Sequence, residues 1–294
     1  MGLFDEMQGK GCEPNVYSYT VLIDSLCEEG NVVEAWKVLD KMLEKKLVPN
    51  VVTYNGLIDG YCKQVEMDPA LEIFNLMEQN KCSPNVWTYN ELICGLCRVI
   101  RVSFAMTMLT KMTEKKLNPN LTTYNTLIQG QCRVDHIESA FKLLDIMKES
   151  RVRPDHYTYS ILIDALCKGD RVEEARALFD SLHENGLEAD VVIFGALIDG
   201  YYKSGKMNCA CFLLDQLLVK KCMPNSFVYN SMMDGLCCEG RMEEAVLLLK
   251  QMSDAKVTPT VFTYSGLIKG LLKEGSFDHA YRDCDAMISK GYKA

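Results

Sequence analysis

The segment Val51–Asn85, VVTYNGLIDGYCKQVEMDPALEIFNLMEQNKCSPN, decides the fold, because the same order of residue types returns every 35 residues along the 294-residue chain. Tyr54, Leu57, Ile58 and Tyr61 stand at i, i+3, i+4 and i+7, the spacing of one helical face, and predict a helix of roughly 12 residues. Ala70, Phe74 and Met77 form a second stripe of the same kind and predict a second helix. Val51-Val52-Thr53-Tyr54 has β-branched composition, but it is too short for a strand and runs directly into helical spacing.

Outward from this segment, frames begin at Val16, Val51, Val86, Leu121, His156, Val191, Ser226 and Val261, with no insertion or deletion between them. Residues 1–15 match the end of a preceding repeat, with Phe4, Met7 and Pro14 in the columns of Phe74, Met77 and Pro84. The frames are 16–50, 51–85, 86–120, 121–155, 156–190, 191–225, 226–260 and 261–294. A helical repeat cannot bury its apolar face alone, so this spacing predicts one all-α domain, a solenoid of stacked helical hairpins with the first helices on its concave side.

Four further columns fit that architecture. The tenth residue is always small, at Ser25, Gly60, Gly95, Gly130, Ala165, Gly200, Gly235 and Gly270, as expected where another helix approaches closely. Ala35, Ala70, Ala105, Ala140, Ala175, Ala210, Ala245 and Ala280 mark the second helix without exception. Gly30, Gly205, Gly240 and Gly275 predict a left-handed end to the first helix in half the frames. Asp68-Pro69 reads as an N-cap followed by proline at the first helical position. Pro49, Pro84, Pro119, Pro154, Pro224 and Pro259 are expected to stop the second helix, Ala189 being the exception.

The composition, 48% hydrophobic and 24% charged, is that of an ordinary globular protein. No apolar run approaches the roughly 20 residues needed to span a bilayer, so no membrane partner is expected. The N-terminal MGLFDEMQGKGCEPN has neither a secretory nor an organellar leader pattern. Six of the fourteen cysteines, Cys27, Cys62, Cys97, Cys132, Cys167 and Cys237, share one column and read as small buried apolar residues rather than disulfide partners. A reducing compartment is expected.

The stretch Val51–Lys63 with Ala70, Met77 and Pro84 resembles the pentatricopeptide repeat, and the resemblance covers the whole chain. The 35-residue period excludes the 34-residue tetratricopeptide frame. Uniform frames resemble the P class of that family, whose fold is a right-handed α-solenoid superhelix. The resemblance implies binding of single-stranded RNA, one base per repeat, in a plant organelle, mitochondrion ahead of chloroplast, for transcript stabilisation, processing or translation.

It also implies site residues. The family reads bases with the fifth and last residues of each repeat, which are here Thr20 and Asn50, Asn55 and Asn85, Asn90 and Asn120, Asn125 and Asp155, Ser160 and Asp190, Gly195 and Asn225, and Asn230 and Thr260, with Ser265 alone in the eighth. By the family rules the sequence read is 5′-A(C/U)(C/U)UGAC(A/G)-3′. The second residues, Tyr17, Val52, Trp87, Thr122, Tyr157, Val192, Phe227 and Phe262, correspond to base clamps.

Chemistry agrees with these roles without requiring them. The fifth residue follows the buried aromatic and is expected to point away from the core, carrying a short polar group suited to a base edge. A helix cap at the fifth column and an Asx turn at the last would explain the same residue types. Clamping by the second column is compatible with packing between repeats. Lys63, Arg98, Arg133, Lys168, Lys203 and Lys273 at the thirteenth position form a cationic track for phosphates, interrupted at Glu28 and Cys238, although basic residues also favour helix C-termini. This track counters the net charge of −8.

Catalytic patterns do not assemble. His136-Ile137-Glu138 matches half of a zinc deaminase signature, but no P-C-x-x-C follows it. No phosphate loop or nucleophile elbow occurs, so neither enzyme activity, cofactor, metal nor small-molecule substrate is expected. The other class consistent with such repeats is a protein-binding scaffold.

Overall fold

The computed structural model describes residues 13–273, 275 and 276, among which there are helices and turns but no strand. Phe4, Met7 and Ala280 lie outside the described residues. The chain divides into two compact units, Met1–Arg153 and Pro154–Ala294. In the first unit the helices are α1 Val16–Glu28, α2 Val32–Glu44, α3 Val51–Lys63, α4 Met67–Gln79, α5 Val86–Arg98, α6 Val102–Glu114, α7 Leu121–Arg133 and α8 Ile137–Glu149. The second holds α9 His156–Lys168, α10 Val172–Asp180, α11 Val191–Lys203, α12 Met207–Val219, α13 Ser226–Cys238, α14 Met242–Asp254 and α15 Val261–Lys273. Odd-numbered helices are the first of each repeat and even-numbered the second. Within each unit a first helix packs on its own second helix and on the next first helix, while second helices pack chiefly against first helices.

The helix ends follow one rule. After α1, Gly30 N–H bonds the Cys27 carbonyl and Asn31 N–H bonds that of Leu26, which is the Schellman arrangement around a left-handed residue. Val65, Ile100, Asp135 and Asp170 take the same left-handed backbone where Gly30, Gly205 and Gly240 stand elsewhere. The turn is therefore imposed by the architecture, and glycine merely removes its strain in half the frames.

Second helices end in the same way, which corrects the proline reading. Lys46, Lys81, Lys116, Arg151, Lys221 and Lys256 are left-handed, so each second helix has stopped before the proline is reached. The fifth repeat varies this pattern. There α10 stops at Asp180, a short 3-10 turn covers His183–Asn185, and Gly186 is the left-handed residue. Asp68-Pro69 needs a further correction: α4 begins at Met67, so the pair occupies the second and third helical positions. Proline costs nothing there, because first-turn N–H groups have no partner inside the helix. Asp68 instead bonds Arg101 of the next repeat.

The core is repetitive. Tyr19, Tyr54, Tyr89, Tyr124, Tyr159, Phe194, Tyr229 and Tyr264 are buried, as are Ala35, Ala70, Ala105, Ala140, Ala175, Ala210 and Ala245. The tenth and twelfth columns meet between successive first helices. A Cβ on Gly130 would sit 2.6 Å from the Cys97 sulfur, and one on Gly60 2.8 Å from that of Cys27. Burial raises the thiol pKa of Cys27, Cys62, Cys97 and Cys167 to about 12, so they behave as apolar groups. Cys27, Cys62, Cys97 and Cys237 are buried, and Cys132 and Cys167 are half-buried.

These contacts predict that Gly130→Ala lowers the melting temperature. The gain in helix propensity, about 0.5–1 kcal/mol, is smaller than an overpacking cost of about 1–3 kcal/mol. Adding Cys97→Ala should recover much of the loss, and a thermal-melt double-mutant cycle with no coupling would contradict the contact. A second prediction concerns Glu91, whose carboxyl is held above its usual pKa by burial and by Asp59. A raised folded-state pKa favours the native state below the unfolded value and loses that contribution as pH rises through the folded value. Glu91→Gln should therefore raise the melting temperature at pH 7, and the gain should vanish below the ordinary carboxylate range.

Candidate nucleic-acid interface

The last residue of each repeat does not stand in a loose turn. Asn50, Asn85 and Asn120 each accept the backbone N–H of Thr53, Thr88 and Thr123, at 3.0 Å in every case, and so cap α3, α5 and α7. Asp155 caps α9 through Thr158 at 2.9 Å, Asp190 caps α11 through Val192 and Ile193, and Asn225 caps α13 through Val228. The last column is thus the N-cap column of the following helix, and the fifth column makes no such cap.

Capping selects a chemical face. For an asparagine cap the carboxamide oxygen is held by the helix N–H, which leaves the NH2 as the uncommitted group. At the Asp190 cap one carboxylate oxygen holds both N–H groups, leaving a second acceptor oxygen. Asn50, Asn85, Asn120 and Asn225 are exposed, whereas Asp155, Asp190 and Thr260 are half-buried.

The fifth column departs from expectation. Thr20, Asn55, Asn125 and Gly195 are buried, and Asn90, Ser160, Asn230 and Ser265 are half-buried. The reason is position: the fifth residue lies where successive first helices meet, and burying its polar group requires a partner. That partner is the third residue of the next repeat. Thr88 donates its hydroxyl to Asn55 Oδ1 at 2.7 Å, Thr123 to Asn90 Oδ1 at 2.6 Å and Thr263 to Asn230 Oδ1 at 2.6 Å. Thr20 and Thr53 share a hydroxyl–hydroxyl bond of 2.8 Å.

The fifth and last residues of one repeat then meet directly. Asn90 Nδ2 lies 3.4 Å from Asn120 Oδ1, and Asn230 Nδ2 donates to the Thr260 hydroxyl at 3.2 Å. The fourth pair is divided between the units, Asn125 in the first and Asp155 in the second.

The second column stands out in solvent. Tyr17, Val52, Trp87, Tyr157, Val192, Phe227 and Phe262 are between 43% and 79% exposed, and Thr122 is exposed too. Large apolar side chains at one repeated exposed position have no role in the core. In the second unit a hollow of about 360 Å³ brings the columns together, lined by Ser160, Val192, Asn225 and Phe227 among others.

The thirteenth column is less cationic than its sequence suggests. Lys63, Lys168 and Lys203 each sit 2.6 Å from the aspartate one turn earlier, Asp59, Asp164 and Asp199. Cys94, Gln129 and Lys269 stand one turn before Arg98, Arg133 and Lys273. Exposed pairs of this kind contribute about 0–1 kcal/mol, little enough to yield to a stronger anion. The sequence reading overlooked both this ninth-position acidic column and the third-position threonine. Each was visible as a 35-residue recurrence, with the threonine three residues after an asparagine or aspartate, where a cap would place it.

Among the described residues no three His, Cys, Asp or Glu side chains are grouped to hold a metal ion, and no helix is long and apolar enough to cross a membrane.

Comparison with known proteins bears on the fold. Solved structures similar to the chain include the pentatricopeptide repeat protein PPR10 from maize in complex with an 18-nt psaJ RNA element, at 20% identity and a TM-score of 0.60. That match covers 97% of this chain and 47% of the other. Nuclear proteinaceous RNase P 2 from A. thaliana is similar at 13% identity and a TM-score of 0.56, over 64% of this chain and 42% of that one. The chain spans about half the length of the PPR10 chain it matches. No curated protein sequence matches it. The PPR repeat family pattern matches residues 1–28, 18–63, 49–98, 88–133, 119–168, 189–238 and 224–273, and the PPR repeat pattern matches 157–187 and 262–292. With those matches covering nearly its whole length in the repeat register already described, the chain is a member of the PPR repeat family.

Proposed function

We propose that this chain binds single-stranded RNA, one base per repeat, with the fifth and last residues reading base edges and the second residues clamping the base faces. The observation that carries the reading is the capped last column. An asparagine cap leaves an NH2 donor, which complements the ring-nitrogen acceptor on the pairing edge of adenine or cytosine. An aspartate cap leaves an acceptor, which complements the ring N–H of guanine or uracil. The family preference of a final Asn for A or C and a final Asp for U or G follows from which atom the helix N-terminus consumes.

Two further features support it. Exposed aromatic residues at a fixed repeat position suit stacking, worth about 1–3 kcal/mol per base. Basic side chains along the thirteenth column, held only by weak surface pairs, suit a polyanion that displaces their carboxylate partners. The resemblance to PPR10, whose structure contains RNA, points the same way. The wider role we propose is transcript stabilisation, processing or translation in an organelle, mitochondrion ahead of chloroplast, and it draws on family resemblance. The proposed activity is binding, with no catalytic step. A protein-binding scaffold is the alternative that the test addresses.

The test is a single-atom change. Asn120→Asp keeps the cap on Thr123 but replaces the NH2 with a carboxylate oxygen. With RNA carrying 5′-ACCUGACA-3′, or U at the third position, the parent should prefer C or tolerate both, and the variant should shift toward U. The expected shift is about 1–3 kcal/mol at that base alone, read by binding titration, with affinity falling as salt rises. No change in base preference, together with salt-independent binding, would contradict the proposal.

A further inference from the structure

The third residue of each repeat is assigned no part in base reading, yet at Thr53, Thr88, Thr123 and Thr263 it bonds the fifth residue of the repeat before. Thr88 Oγ1 lies 2.7 Å from Asn55 Oδ1 and 3.0 Å from the cap oxygen of Asn85, and Thr123 Oγ1 lies 2.6 Å from Asn90 Oδ1 and 3.0 Å from that of Asn120. A hydroxyl has one proton to give, and the shorter contact in both cases is to the fifth residue. Its oxygen is meanwhile occupied by the backbone N–H of the cap residue, at 3.1 Å in both repeats. The hydroxyl thus directs its one proton to the fifth residue's Oδ1. It locks that amide with oxygen inward and NH2 outward.

The residues covary within each unit. Thr20, Asn55, Asn90 and Asn230 each face a threonine in the next repeat, namely Thr53, Thr88, Thr123 and Thr263. Where the third residue lacks a hydroxyl, at Ile193 and Val228, the preceding fifth residue is Ser160 or Gly195. Ser160 satisfies its hydroxyl on its own helix, at the Tyr157 carbonyl, and Gly195 has nothing to satisfy. A buried asparagine opposite a hydrocarbon would leave its oxygen unpaired, which explains why the two columns change together.

We propose that the third residue is a positioning residue for base reading: its hydroxyl orients the fifth-residue amide of the preceding repeat and so sets that repeat's choice between pyrimidine and purine. The inference rests on the RNA-reading proposal above. It extends the determinants of one base to three side chains drawn from two repeats.

The experiment uses Thr123→Val, Thr123→Ser and the pair Gly195→Asn and Gly195→Asn/Val228→Thr, with RNAs substituted one base at a time. Thr123→Val keeps the shape and the Asn120 cap but removes the donor. It should reduce pyrimidine-over-purine discrimination at the third base about five- to tenfold, leaving discrimination at the other bases unchanged, and Thr123→Ser should restore it. Gly195→Asn should gain a pyrimidine preference at the sixth base only when Val228→Thr accompanies it. Thermal melts of each variant report folding separately. Unchanged discrimination at the third base in folded Thr123→Val, or an equal loss at every base, would overturn the inference while leaving RNA reading intact. A parent chain that discriminates no base would overturn RNA reading, and this inference with it.

Discussion

Seven repeats of this protein depend on one hydrogen bond, the bond from a backbone N–H in the first turn of a first helix to the side chain of the residue that closes the repeat before. Asn15, Asn50, Asn85, Asn120, Asp155, Asp190 and Asn225 all make it. A helix N-terminus left uncapped has exposed donors and a weaker start, so the residue type in this column is constrained before any ligand is considered. The same bond consumes one polar atom of the side chain and leaves the other. A structural requirement and a recognition surface are thereby met by one residue, with Asn and Asp nearly equivalent as caps and opposite as hydrogen-bonding partners. That near-equivalence lets the column vary in what it presents without disturbing the stack.

Around this bond the remaining contacts repeat with the same period. Glycine at the tenth position admits the cysteine or methionine of the preceding repeat, and the buried tyrosine column fills the space between the two helical layers. Ion pairs run between repeats along the turns, from Arg101 to Asp68 and from Lys206 to Glu173. On the first helices the ninth and thirteenth columns pair aspartate with lysine, which holds an acidic chain near local neutrality along this edge. Such balance favours a selective ligand, because long-range attraction to any polyanion is suppressed while side chains remain available within hydrogen-bonding distance.

Much of this was legible in the sequence, and what was missed has a common physical cause. The period, the two helices and the alanine column follow from side-chain type and spacing alone, whereas the second column entered through the family resemblance and its exposure is a finding of the structure. The turns were half visible: Gly30 announces a left-handed residue, but Val65 and Ile100 adopt the same backbone because the stack on both sides dictates it. Prolines 49 and 84 looked like terminators because they follow the helix, whereas Lys46 and Lys81 end it through backbone bonds that leave little trace in side-chain chemistry. The fifth column was read as facing outward because it follows the buried aromatic by one residue. It is partly buried instead, since its partner lies in the next repeat, 33 residues away, and pairing at that distance is invisible to a reading of one helix at a time.

The central claim is that the fifth and last columns together specify bases in order along an RNA. The most direct measurement is selection from a pool of single-stranded RNAs randomised over eight positions, followed by sequencing of the bound fraction. The account predicts enrichment of pyrimidine at the second and third positions, U at the fourth and G at the fifth, in that order from the 5′ end. Bound RNA with no preference at these positions, or with the order reversed, would contradict it.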